Sequence, residues 1–498
     1  MRALLVATFV FAACREKAAP APEPPPPPEL EGVVRERLAA LERQVEPVPE
    51  LPALEALDEG QRADAEGLVA MLSSAKGRMR EVALESAADM GAAATAVWSA
   101  LARDAQRPAS ERTAAAELLG AQASAAAALA LVELAETARE AWLRSHAYWN
   151  LGKLGDDRVL LRLLSRLKYE TDPEAQTLLA EALGALDSYA GVDVLLEIES
   201  GGADEGVRAR ARTALAGLAE RSGEPDAAAL RALWHSPDAG RLSESAPSKA
   251  LELELWRRVD ELSDEHFQLR GVDDARFALS HLGAWAVPHV AAALVERDAH
   301  TRLHAAQVLE RTGARARAAG PALVAALDDP ELAPAAAEAL GAVGFEEGFA
   351  ALAQRAARGN ALELRVAAAR GLGRTGSAVA RETLLALFAD AAEDADLRRT
   401  CASGLVHLGE GARVARFLAA ELTGELGDPA GAERALGEWL ERGAREEREG
   451  FAAALAEWRA LDPQAPGNTI LSNEAVRERR VARAAFLAGE LEALAPGD

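Results

Sequence analysis

A short phrase recurs along this chain at intervals of about thirty residues, and no other feature restricts the possible folds so strongly. A small residue is followed four positions later by Leu and then by Gly. The copies are Ala115, Leu119 and Gly120; Ala147, Leu151 and Gly152; Ala278, Leu282 and Gly283; Ala336, Leu340 and Gly341; and Ala368, Leu372 and Gly373. Looser copies place their Leu-type residue at Met90, Leu183, Leu218, Leu309 and Leu405. Between positions 90 and 218 the steps are 29, 32, 32 and 35 residues; between 282 and 405 they are 27, 31, 32 and 33. A sustained period in this range marks a stack of supersecondary units, each too thin to bury its own apolar face.

Within a copy, residues 363–376 (ELRVAAARGLGRTG) repeat Val366, Ala369, Leu372 and Gly373 at three- and four-residue spacing, the stripe of an amphipathic helix. Ala368 and Leu372 share one side, where a small side chain admits a neighbouring helix. The following Gly suits a tight helix end or a close backbone contact. A second apolar-striped helix is predicted over 378–389, and then an acidic turn, Glu393 to Asp396, precedes the next copy. Asp172-Pro173 and Asp329-Pro330 are placed to cap and open the helices carrying Leu183 and Leu340. Arg112, Arg144, Arg302, Arg365 and Arg398 each stand seven residues before the Leu, a ladder expected near the turns and paired with acids of adjacent units. Five arginines in register would also suit an anionic groove; the structural role is favoured. The predicted fold is all-α, an α-solenoid (superhelix) of stacked antiparallel helix pairs forming one elongated rod with a hollow side.

Residues 365–376 (RVAAARGLGRTG) and 144–155 (RSHAYWNLGKLG) carry a pattern that resembles HEAT repeats, in the short subclass of phycobilisome-lyase-like proteins. The resemblance extends over about residues 60–425. It implies a HEAT-like fold used as scaffold and docking surface. The phycobilin-lyase members of that family work on chromophores, so an accessory lyase-like, cofactor-binding or metal-binding HEAT protein is the alternative.

Composition agrees with packed helices. Apolar residues make up 50% of the chain and aromatics 4%, so Ala and Leu supply the core. Asp and Glu number 79 against 55 Lys and Arg, a formal charge of −24 that disfavours nucleic acid and anionic lipid. Two cysteines, Cys14 and Cys401, make no disulfide framework. Met1-Arg2, the uncharged run 3–13 and Cys14 read as a secretory signal. The Phe11-Ala12-Ala13-Cys14 junction resembles the lipobox of bacterial lipoproteins, which implies lipidation at Cys14; Phe11 departs from the usual Leu. Residues 18–28 (AAPAPEPPPPP) form a polyproline II stalk of roughly 34 Å at about 3.1 Å per residue. Arg15 after the Cys implies, by the same resemblance, the outer membrane facing the periplasm; a soluble periplasmic protein is the alternative.

The expected organisation is a signal peptide (1–13), a lipid-attachment and tether segment (14–28), an N-terminal helical cap over the first repeats (29–60) and a first repeat array (61–225). A degenerate repeat and bend (226–270), a second array (271–425) and a C-terminal helical cap (426–498) complete it. At the bend the step between copies doubles to 64 residues, and Trp234, Trp256, His266 and Phe267 concentrate there as candidate partner contacts. The competing and favoured role for these aromatics is to fill a gap between two half-arrays.

Residues arranged for chemistry are sparse. Five of eight histidines lie between 266 and 304, and His300 and His304 share a helix face, but Arg302 between them repels a cation and no glutamate base accompanies them. No metal site is assigned. Cys401 occupies the slot of Ala368 and Ala336 and is read as a small core residue. No phosphate loop, nucleophile elbow or C-x-x-C pair occurs. The expected function is a non-catalytic scaffold without cofactor: lipid-anchored, attached to the membrane through that lipid alone, and presenting a concave repeat surface, with contacts on exposed positions of its second helices, to a protein partner. A purely structural envelope role is a third reading.

Overall fold

The computed structural model describes residues 33–74, 76–201, 203–242, 246–263, 269–295, 298–410 and 414. Among them there is no strand beyond an isolated bridge between Arg358 and Asn360. The signal segment, Cys14, the proline-rich stalk, His266, Phe267 and the C-terminal cap lie outside the described residues.

Two helices, α1 (Val33–Glu42) and α2 (Glu59–Ser74), precede five hairpins. The first pair is α3 (Arg78–Ala88) with α4 (Ala92–Arg103), and the second α5 (Ala109–Ala121) with α6 (Ala125–Thr137). Then come α7 (Ala141–Leu154) with α8 (Leu160–Leu167), α9 (Pro173–Ala185) with α10 (Val192–Ser200), and α11 (Glu205–Ser222) with α12 (Ala227–Trp234). A crossing helix, α13 (Lys249–Asp260), leads to α14 (Leu269–Leu282) with α15 (Val287–Ala293) and α16 (Ala299–Thr312) with α17 (Gly320–Ala326). The described helices end with α18 (Ala333–Val343) and α19 (Phe349–Ala356), α20 (Leu362–Gly373) and α21 (Ala378–Ala389), and α22 (Ala395–His407).

Local chemistry sets many of these boundaries. Ser124, Asp172, Asp204, Asp226, Ser248 and Ser377 each accept a hydrogen bond from the backbone N–H three residues on, satisfying an otherwise orphaned donor. Asp172-Pro173 opens α9 as the sequence suggests. Asp329-Pro330 does not open α18: Asp329 Oδ1 accepts from Glu331 N at 3.0 Å, and the helix begins three residues beyond Pro330, with Pro334 in its first turn. The Asp329 carboxylate is engaged by Arg302 instead.

The recurring phrase sits on the first helix of each hairpin. Those helices pack in sequence, α3 on α5, α7, α9 and α11, then α14 on α16, α18, α20 and α22. Leu119, Leu151, Leu183, Leu309, Leu340, Leu372 and Leu405 are all fully buried at this seam. Both roles expected for the Gly after the Leu occur: Gly283 stands just past the end of α14 with φ +71°, while Gly341 and Gly373 serve the close approach. A Cβ on Gly373 would stand 2.6 Å from the Cα of Gly404, and one on Gly341 would strike the backbone of Gly371. The stack is therefore an α-solenoid of HEAT-like hairpins.

The two ladders do not run on as one rod. At the break, α14 lies against α8, a second helix of the first ladder, so the second ladder starts from the flank of the first. Tyr169 donates to Asp274, Lys168 Nζ approaches the same carboxylate at 3.3 Å, and Ser248 Oγ donates to Asp157 at 2.6 Å. The expected N-terminal cap is also relocated. Val34 and Leu41 are buried and Leu38 and Val45 partly so, as the stripe predicts, but α1 packs on α13 and α15, with Arg257 reaching Glu42 at 3.4 Å. The unpaired apolar surface at the junction, not the first repeats, takes this helix.

Candidate functional site

The arginine ladder ties each hairpin to the next. Arg112 Nε donates to the Ala102 carbonyl at the end of α4 at 3.0 Å, while its Nη1 donates to Glu140 at 2.6 Å, just before α7. Arg365 repeats this with the Ala356 carbonyl at 3.1 Å and Glu393 at 2.7 Å. Arg144 takes the Ala138 and Arg139 carbonyls and both oxygens of Glu170; Arg302 meets Asp329; Arg398 Nε donates to the Phe388 carbonyl at 3.1 Å. Arg112, Arg144, Arg365 and Arg398 thus close the carbonyl end of one helix, where positive charge is favoured, whereas Arg302 bonds to the Asp329 carboxylate. Four of the five also fix an acid 26 to 28 residues downstream. The Glu170 side chain is completely buried. Burial alone would raise its carboxyl, but bonds from Arg144, the Asp172 N–H and the Tyr148 hydroxyl hold it below the usual range. Burial pushes Tyr148 up to about 12. These groups are committed to one another.

At the bend, Trp234 and Trp256 are both buried, at 6% exposure, and so offer no contact surface. Trp234 lies under the Arg315 guanidinium, 4.2 Å from its ring centre, and Trp256 meets His289 edge-on at 4.9 Å. They fill the space between the ladders. His300 and His304 lie on α16, with His300 exposed, and among the described residues no three His, Cys, Asp or Glu side chains converge to hold a metal ion. Cys401 is fully buried in α22, and burial pushes its thiol up to about 12.

The residue that sequence reading passed over is Trp149. It is 47% exposed on α7, with Lys153 Nζ 4.8 Å from its ring centre. Its position, two before the Leu, is variable: Glu117, Glu181 and Glu338 fill it in three copies, and Ala216, Ser280, Gln307, Arg370 and Ser403 in others. No other copy carries an aromatic there, a difference visible in the sequence. Second helices fare worse as a continuous contact surface, because α14 covers α8.

A cavity of about 360 Å³ opens where α10, α12, α14 and the end of α16 converge. Asp193 accepts from Arg231 at 2.8 Å and meets His235 Nε2 at 2.8 Å; burial raises its carboxyl, and these bonds more than reverse that. His281 donates from Nδ1 to the Phe277 carbonyl at 2.8 Å and stacks on the Phe277 ring, and burial pushes it down to about 4.

No protein-family model matches the chain, and no curated protein matches it. Among solved structures it is similar to an engineered protein at 18% identity, over 86% of this chain and 99% of that one, with a TM-score of 0.26. It is similar to the CpcE–CpcF complex of phycocyanin lyase from Nostoc sp. at 21% identity, over 60% and 94% of the two chains, with a TM-score of 0.27. It is similar to Kap121p bound to Pho4p at 11% identity, over 92% and 57%, with a TM-score of 0.31.

Proposed function

We propose that this chain is a non-catalytic scaffold that binds a protein partner along the outward edge of its phrase helices, and that it is exported and lipid-anchored through Cys14. The observation that carries the docking half is Trp149, a large apolar ring left open on α7 at a position that no other copy fills with an aromatic. Exposed aromatics of this kind dominate protein interfaces. The charge of −24 favours a basic partner whose association weakens with salt. The titratable groups of the arginine ladder are consumed in structural pairs, in keeping with a role without catalysis. The anchor rests on the N-terminal sequence, Met1 to Cys14, and on the stalk after it.

A photo-crosslinking side chain at position 149, compared with one at exposed Met79, tests the docking face in the protein's own cells. A discrete adduct from 149 alone, lost at high salt, is expected; equal labelling from both positions would reject this face. Incorporation of a fatty-acid probe, abolished by Cys14→Ser, tests the anchor separately.

A further inference from the structure

The junction cavity contains more cationic groups than its neighbours neutralise. Asp193 is the carboxylate in its wall, and it already receives Arg231 and His235. Arg311 and Arg315 line the same space from the end of α16 and the turn beyond it. Arg311 is exposed at the opening. Arg315 donates from Nε to the Thr312 carbonyl at 3.2 Å and rests on Trp234, but its buried Nη1 has no acceptor. Glu310, the adjacent acid, is paired with Arg374 at 2.6 Å. Among the described residues no carboxylate is bonded to Arg315, so its guanidinium brings uncompensated positive charge to the cavity wall.

We propose that this cavity binds a small-molecule oxyanion, a carboxylate or phosphate group received by the Arg315 and Arg311 guanidinium groups, with Trp234 and Phe277 as its apolar walls. Its volume falls within the span of small-ligand sites, about 300–1,000 Å³. Guanidinium forks suit planar and tetrahedral oxyanions because they donate two parallel bonds. Burial pulls the Arg315 guanidinium below its ordinary value, with Asp193 opposing that, and Arg276 is pulled down by burial and by Arg311. An incoming negative charge would relieve both. The site is separate from the Trp149 face, so its fate does not decide the docking proposal.

The test is isothermal titration of the full chain with inorganic phosphate and, separately, with benzoate, at ionic strength fixed by chloride. Binding of at least one probe with Kd of about 1 mM or tighter is expected, weakened about tenfold by Arg315→Gln and by Arg311→Ala. Arg311 is exposed, so its removal reads binding without disturbing the core. No binding of either probe beyond the chloride control, or affinity within about twofold of wild type in Arg311→Ala, overturns the proposal.

Discussion

Single side chains divide sharply here into those held in place and those left open. Arg144 and Glu170 form the most enclosed pair of the ladder, with the carboxylate fully buried and both oxygens bonded at 2.7 Å. Removing one partner strands a buried charge, so Arg144→Ala is expected to cost about 3–5 kcal/mol in urea unfolding. The exposed Arg103–Glu133 pair gives the contrast: Arg103→Ala should cost at most about 1 kcal/mol. His281 sets an acid limit. Its folded pKa, near 4, lies below the ordinary 6.5, so on acidification the unfolded chain takes up a proton first. Stability is therefore complete above pH 6.5 and falls as pH drops toward 4, by on the order of 3 kcal/mol from this group. His289, also lowered by burial, adds to the same slope. Unfolding at pH 7.5 and 4.5 should show a smaller loss in His281→Gln than in wild type; an equal loss would remove His281 from the account.

Helices meet through glycine at the upper end of the second ladder. Gly341→Ala forces a methyl into the Gly371 backbone and is expected to destabilise by about 1–3 kcal/mol. Gly217 in α11 has open space around its would-be Cβ, so Gly217→Ala should be neutral or stabilising by up to about 1 kcal/mol. Denaturation midpoints of the two variants should move in opposite directions. This element scale is also where the sequence was most legible. Leu and Ala spacing is a local property, and α5, α7, α18 and α20 fall where it places them. The arginines were readable for the same reason, since their partners stand one repeat away. The α14–α8 contact was not readable: it joins helices about a hundred residues apart through apolar faces no different from those that stack within a ladder. Trp149 was missed because it lies inside the phrase itself, where core residues are expected.

As a whole molecule, two solenoid arms share a junction held by few polar ties. Asp274 receives both Tyr169 and Lys168 across the α14–α8 contact. Asp274→Ala is expected to cost about 1–2 kcal/mol and to raise amide exchange in α8 and α14, with α20 and α22 unchanged. Uniform exchange changes along both arms would instead mean that the arms unfold as one body. The position of α1 has a mechanical consequence. Because that helix is seated on α13 and α15, Val33 stands at the waist of the described stack and not at a tip. A pull exerted at Val33 is therefore borne by the crossing helix α13 and not by the hairpins far from it.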